Sequence, residues 1–293
     1  MATAALVLSL ALGGFSAPAT LRHLDPATLQ PVGAELKLPG APLGYAWARR
    51  GITLAVVVKP AATGQPVRLV DLRSMRVTGV LPVGDRDVCG LTYDGPTLVA
   101  LTADRPCYWK GGHFSVMRFG ATTTSTPVPA LETVWPTNLA FGAGHAYVSY
   151  ASGVVDAVDL RTGAVVVHRP RRMLAKGEGL VFTRWLGRGL LGVGGTIVDT
   201  RTWRKRVADP RALGVAVSGS VLADYGRNGV TLRTRAGRLI RRALPGEDVS
   251  DVRIGRRYLY AQVGSAVDIV ERATGRRLRV IAVADGPWAL LAP

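Results

Sequence analysis

Residues 153–167 constrain this chain more than any other stretch. Two apolar runs flank the tight turn Arg161-Thr162-Gly163, which reads as an antiparallel hairpin with Gly163 supplying the positive φ that such a turn needs. Asp159 stands four residues before Gly163, where its carboxylate can accept hydrogen bonds from the N–H groups of the turn. The frame recurs as Asp25-Pro-Ala-Thr-Leu29, Asp71-Leu-Arg-Ser-Met75, Asp199-Thr-Arg-Thr-Trp203 and Glu271-Arg-Ala-Thr-Gly275, with degenerate copies at 116–120 and 233–237. Anchors at 25, 71, 116, 159, 199, 233 and 271 span 246 residues in six steps, a mean of 41. That period, with room for four short strands in each unit, predicts an all-β, seven-bladed β-propeller of four-stranded antiparallel blades.

Two further apolar runs precede each hairpin: 138–141 and 145–150 in the fourth unit, 213–217 and 221–225 in the sixth, 249–254 and 258–263 in the seventh. The first run of a unit is rich in small residues, which suits an innermost strand crowded around a central channel. The ends of the chain complete each other. Residues 286–292 resemble an innermost strand that would by itself be an open edge, whereas the first unit lacks one. Pairing the C-terminal strand with the N-terminal strands closes the ring and makes 1–293 a single domain. A pair of β-sandwiches is the alternative, but it gives no reason for one acid-turn frame to repeat seven times.

Residues 1–19 have two readings. An apolar core followed by Ala17-Pro18-Ala19 resembles a secretory signal, although no Lys or Arg precedes it. The same segment also matches 54–58 and 67–71 in strand order, and so reads as the first strand of the closing blade. No window reaches the unbroken apolar length of a membrane span. The net charge is +17, yet 32 of the 37 basic residues are Arg and they are scattered over strands and turns. This reads as a solvated basic rim, and nucleic acid is not expected as a partner.

The segment Met75-Arg-Val-Thr-Gly-Val-Leu-Pro-Val-Gly-Asp-Arg-Asp-Val-Cys-Gly90 resembles the YVTN β-propeller repeat, in which an outer strand ends in Pro-Val-Gly before the next innermost strand. Asp159-Leu-Arg-Thr-Gly163 and Glu271-Arg-Ala-Thr-Gly275 are similar to turns of the wider quinoprotein-dehydrogenase-like and WD-repeat propellers. As a pattern the resemblance covers nearly the whole chain, and it implies a fold class rather than one activity. Trp-Asp dipeptides are missing, as is a Trp-rich quinone-docking signature, so quinone binding is not implied.

Chemistry-bearing motifs are scarce. His23, His113, His145 and His168 lack metal-ligand spacing, and the chain has no Gly-x-Ser-x-Gly elbow, Walker loop or dinucleotide fingerprint. Cys89 and Cys107 fall on one face of the third unit, as a disulfide suited to an exported protein or as two free thiols. Function in propellers resides where connecting loops converge on the channel mouth. The loops between units carry nine acids (Asp85, Asp87, Glu132, Glu178, Asp209, Glu247, Asp248, Asp251 and Asp285) against Arg86, Lys176 and Arg211. Same-face loops inside the units reduce this net charge from −6 to −3.

The expected site is therefore the mouth, with Asp85, Arg86, Asp87, Trp135, Asn138, Glu178, Arg211, Asp248, Asp285 and Trp288 as ligand contacts. Glu178, Asp248 and Asp285 would hold a divalent cation or cationic group, with Trp135 and Trp288 stacking on it. The chain reads as a non-catalytic binding or scaffold module, monomeric and extracytoplasmic, with a protein or small ligand as its partner. The alternatives are a metal-assisted hydrolase or lactonase at the channel, a basic adaptor for anionic polymers, and a cytoplasmic location.

Overall fold

Apolar side chains stand two residues apart in strand after strand, and each run ends in a short turn, so the chain folds back on itself as antiparallel hairpins. The computed structural model describes residues 7–11, 19–25, 27–40, 42–48, 53–58, 66–107, 112–128, 131, 136–150, 154–169, 183–209, 211–282 and 288–291. Its strands begin with β1 (Val7–Ala11), β2 (Ala19–Leu24), β3 (Pro31–Leu38), β4 (Pro42–Trp47), β5 (Thr53–Val58), β6 (Val67–Asp71) and β7 (Arg76–Leu81). Next come β8 (Asp87–Asp94), β9 (Thr97–Ala103), β10 (Phe114–Phe119), β11 (Thr123–Pro127), β12 (Pro136–Gly142), β13 (His145–Tyr150), β14 (Val155–Asp159) and β15 (Val165–Arg169). These are followed by β16 (Thr183–Gly187), β17 (Leu190–Val193), β18 (Thr196–Asp199), β19 (Lys205–Ala208), β20 (Ala212–Ser218), β21 (Val221–Gly226) and β22 (Gly229–Thr234). The last are β23 (Leu239–Ala243), β24 (Val249–Ile254), β25 (Tyr258–Val263), β26 (Ala266–Glu271), β27 (Arg277–Ala282) and β28 (Trp288–Leu291).

Among the described residues these strands form seven four-stranded sheets. Six are meanders of consecutive strands, β4 to β7, β8 to β11, β12 to β15, β16 to β19, β20 to β23 and β24 to β27. The other has the order β28-β1-β2-β3 and joins the C-terminal strand to the N-terminal ones. The chain divides into two compact units, one of Met1–Leu10, Arg22–Gly33 and Met173–Pro293, the other of Ala11–Leu21 and Ala34–Arg172.

In the second unit the sheets are buried on both faces. Along β9, Leu98 and Ala100 pack with Val57, Val67, Val88 and Met117, while Val99, Leu101 and Ala103 pack with Phe114, Val116, Val148 and Tyr150. The period of two sends alternate side chains into the cores on either side. In the first unit β21 divides likewise, with Leu222 joining Leu186, Ile197 and Val215, and Ala223 and Tyr225 joining Val249, Val252 and Leu259. Among the described residues the large apolar side chains left exposed all lie on the fourth strands: Val32, Val77, Val80, Val166, Leu239, Ile240, Leu278 and Val280.

The repeated turn has the expected chemistry. Asp159 accepts from the N–H of Arg161 and Thr162 at 2.8 and 2.7 Å and from the Thr162 hydroxyl at 3.0 Å. Asp25 does the same with Ala27 and Thr28, Asp71 accepts from the Arg73 N–H and the Ser74 hydroxyl, and Asp199 accepts from the N–H of Arg201 and Thr202, whereas Glu271 receives the Thr274 hydroxyl at 2.7 Å. The two degenerate copies are placed differently from the sequence frame. Residues 116–119 lie inside β10, so that turn begins later, near Gly120. In the other copy Gly237 N–H donates to the Thr234 carbonyl at 2.8 Å, which makes that turn one residue shorter. Neither copy has an acid to fix where the turn starts.

Candidate functional site

In the second unit, the loop before β8 and the loop between β9 and β10 form a polar network. Arg86 donates to the buried Thr102 hydroxyl at 3.0 Å, to the His113 carbonyl at 2.6 Å and to the Ser115 hydroxyl at 3.3 Å. Asp104 accepts from the His113 N–H at 2.7 Å and pairs with His113 Nδ1 at 2.7 Å. The His113 backbone hydrogen bond is the main cause that holds the Asp104 carboxyl below its ordinary value. Cys89 on β8 and Cys107 in the longer loop are disulfide-bonded, with Cα atoms 5.4 Å apart. Arg86 is thus committed to positioning the loops, while Asp85 beside it is exposed.

In the first unit, the first strands of two sheets meet through charge. Arg184 on β16 donates to Asp251 on β24 at 3.1 Å and to the Val252 carbonyl at 3.4 Å, and Arg253 pairs with Asp251 at 3.0 Å. Tyr225 is buried beside them, its phenol pushed up to about 12, chiefly by burial. A Cβ on residue 214 would overlap the Tyr225 hydroxyl, so Gly214 on β20 makes room for that ring. Asp251, expected as a loop acid, lies within β24 and is held between two guanidinium groups. Glu247 is likewise paired, with Arg277.

A cleft of about 550 Å³ opens on the sheet of β20 to β23, lined by Asp209, Arg211, Asn228, Thr231, Arg233, Arg242 and Pro245. A recess of about 30 Å³ shares four of those residues and is also lined by Asp224 and Tyr225. Strand register explains the wall, because Asp224, Thr231 and Arg242 are successive cross-strand partners and stand in one row. Asp224 is two residues from Leu222, so the two side chains share a face. Arg233, diagonal to Asp224, donates from Nε to Asp224 Oδ2 at 2.5 Å. Asp224 is 2 % exposed, its Oδ1 has no hydrogen-bond partner, and burial pushes its carboxyl up against the pull of Arg233.

Of the residues named from the sequence, Asp85, Arg211 and Asp248 are exposed, and Arg86 and Asp87 are half-buried. Asn138 lies on β12 and Trp288 on β28. Trp135, Glu178 and Asp285 fall outside the described residues, as do Glu132 and Lys176. Among the described residues, no three His, Cys, Asp or Glu side chains are grouped to hold a metal ion. Sequence reasoning missed the buried acids Asp156, Asp224 and Asp268. The signal was available as an acid inside an apolar strand run, Val155-Asp156-Ala157 or Val267-Asp268-Ile269, where water cannot satisfy the carboxylate. Tyr150 donates to Asp156 at 2.8 Å, and Arg277 pairs with Asp268 at 2.8 Å.

No protein-family model matches the chain, and no curated protein matches it. Solved structures do. The chain is similar to the dihydro-heme d1 dehydrogenase NirN, solved in complex with DHE, at 13 % identity and a TM-score of 0.60, over 97 % of this chain and 74 % of that one. It is similar to BamB from Moraxella catarrhalis at 14 % identity and a TM-score of 0.52, over 93 % and 87 % of the two chains. A chain of the mitotic checkpoint complex aligns at 15 % identity with a TM-score of 0.59, over 82 % and 77 %. All three are β-propellers, and at such identities the likeness shows the fold alone: this is a β-propeller chain.

Proposed function

We propose that this protein is a non-catalytic binding or scaffold module, in which the seven sheets are the blades of one ring-closed domain over residues 1–293. A ligand or protein partner engages the loops that lead from one sheet to the next. The observation that carries this reading is the division of labour in those loops. Arg86 and Glu247 in those loops, with Asp104 in the β9–β10 loop and Asp251 at the start of β24, are taken up in internal contacts, and the Cys89–Cys107 bond ties β8 to the β9–β10 loop, while Asp85, Arg211 and Asp248 stand exposed on that framework. Propellers are used this way in assemblies, as the mitotic checkpoint complex is by its name. We place the chain with YVTN-like and quinoprotein-dehydrogenase-like propellers on its turn frames, and outside the cytoplasm on its disulfide. Thiol titration of protein made in an oxidising compartment tests the location, and two accessible free thiols count against it.

The mouth residues Asp87, Asn138, Trp135, Glu178, Asp285 and Trp288 belong to the same proposal, with Glu178, Asp248 and Asp285 toward a divalent cation or a cationic group. Pairing of Asp251 and Glu247 with arginines lowers the acidity available there and favours a partner site over a metal-dependent hydrolase. Photo-crosslinking residues installed in the native host at Asp85 and Asp248, and for comparison at Val80 and Leu278 on exposed fourth strands, test the reading. Crosslinks to one partner are expected from the loop positions. Crosslinks confined to the fourth strands would move the site to the rim, and a metal retained by the purified protein and lost in Asp248→Asn would revive the hydrolase reading.

A further inference from the structure

The cleft on the sheet of β20 to β23 has a chemistry different from an acidic mouth. Three guanidinium groups, those of Arg211, Arg233 and Arg242, face two carboxylates, those of Asp209 and Asp224. Among the described residues the side chains of Arg211 and Arg242 have no ion pair or hydrogen bond, and both residues are exposed. An unpaired guanidinium fork matches a carboxylate or phosphate through two parallel N–H···O bonds. At about 550 Å³ the cleft is in the range of small-ligand pockets.

Asp224 gives a second, independent indication. It is 2 % exposed and lines the recess, one of its oxygens takes the Arg233 proton donor, and the other has no partner. A buried acceptor without a partner costs about 1–3 kcal/mol, so the recess calls for a donor. Because Arg233 already balances the charge of Asp224, that donor is a neutral hydroxyl rather than a second cation. Thr231, beside Asp224 in the cross-strand row, lines both the cleft and the recess.

We propose that this cleft binds a small hydroxylated oxyanion, a sugar phosphate or a sugar acid, with Arg211 and Arg242 on the anionic group and Asp224 on a hydroxyl. The site lies within one compact unit and does not depend on ring closure; it shares Arg211 with the loop-face reading, whereas Asp224, Thr231 and Arg242 belong to the cleft alone. Calorimetric titration of the full chain with glucose 6-phosphate, glucuronate, methyl phosphate and glucose tests it. At least one of the two hydroxylated anions should bind about tenfold or more tightly than methyl phosphate or glucose. Binding by glucose 6-phosphate alone assigns the phosphate source, and by glucuronate alone the carboxylate source. Arg242→Ala, on an exposed strand, should weaken binding about tenfold, the loss of one charge-assisted pair. Thr231→Val should erode the advantage of glucose 6-phosphate over methyl phosphate, or of glucuronate over glucose. The proposal is overturned if neither hydroxylated anion binds up to about 10 mM, if methyl phosphate binds as tightly, or if either substitution changes nothing.

Discussion

At the fifth position of the acid-anchored turn the backbone is left-handed in every full copy, and the residue there is Leu29, Met75, Gly163, Trp203 or Gly275, with φ from 50° to 74°. A side chain in that conformation costs about 1–2 kcal/mol. Leu29 and Met75 offset it by burying their side chains. Gly163 has no such latitude, because a Cβ there would overlap the carbonyl of Pro127 on β11. Gly163→Ala should therefore lose about 2–4 kcal/mol in chemical denaturation, against about 1 kcal/mol for Gly219→Ala, whose φ is also positive but whose surroundings are open. The anchoring acids set a pH dependence. Asp25 and Asp71 are held below the ordinary aspartate value, mainly by backbone hydrogen bonds from Thr28 and Arg73, and Asp159 by those of Thr162 and Arg161 against an opposing desolvation. A carboxyl depressed in the fold contributes stability above its unfolded value and loses it as pH falls through the folded one. Denaturation midpoints should fall toward acid, and Asp159→Asn, which can still accept the turn N–H groups but not as an anion, should flatten that fall by lowering stability at neutral pH more than at acid pH. These turns were legible in the sequence because their chemistry lies within five residues. The positive φ at Leu29 and Met75 was not, since tertiary burial supplies the compensation.

Strands were legible for the same reason that they form: the period of two is written locally, and β24 and β25 coincide with the runs read at 249–254 and 258–263. What one strand meets on the next sheet is not written locally. Gly90 on β8 stands where a Cβ would overlap Leu139 and crowd Phe141, both on β12. A small residue on an innermost strand was expected, but its partners come from a segment about 50 residues on. Gly90→Val should lower the thermal midpoint, with a cost of about 1–3 kcal/mol from overpacking. Leu139→Ala combined with Gly90→Val should recover part of it, and no recovery would mean that the two sides do not touch. The arginines show the same limit. Read as a solvated rim, several in fact staple neighbouring sheets, with Arg118 donating to the Leu160 carbonyl, Arg235 to that of Leu186 and Arg241 to that of Thr274. Only the edge of the cleft was legible, since Asp209 and Arg211 were read as residues of a connecting loop and the rest of the wall was not. Its residues come from the loop before β20, from β21, the β21–β22 turn, β22, β23 and the loop that follows, and the deciding atom is one oxygen of a buried acid on β21.

At the scale of the molecule, the sheet ordered β28-β1-β2-β3 is the feature on which the architecture turns, because its strands come from opposite ends of the chain. Among the described residues every other sheet is complete within one run of consecutive strands, and this one couples the two ends. Such a link stabilises through the hydrogen-bonded edge it covers and through the chain entropy it removes, a term that grows only slowly with loop length. Removing residues 286–293 deletes β28 and leaves the first strand, β1, with an open edge. Removing residues 1–19 deletes β1 and separates β28 from β2. If the closing sheet holds the protein together, both truncations should unfold at lower temperature than the full chain, and the C-terminal one should also aggregate, since an unpaired strand edge is a template for further strands. Calorimetry with light scattering reads both effects. A C-terminal truncation that melts like the full chain and stays monomeric would show that β28 adds nothing to the fold. An N-terminal truncation that melts like the full chain would show that the first sheet holds with three strands, which is what cleavage of a signal at residue 19 would leave.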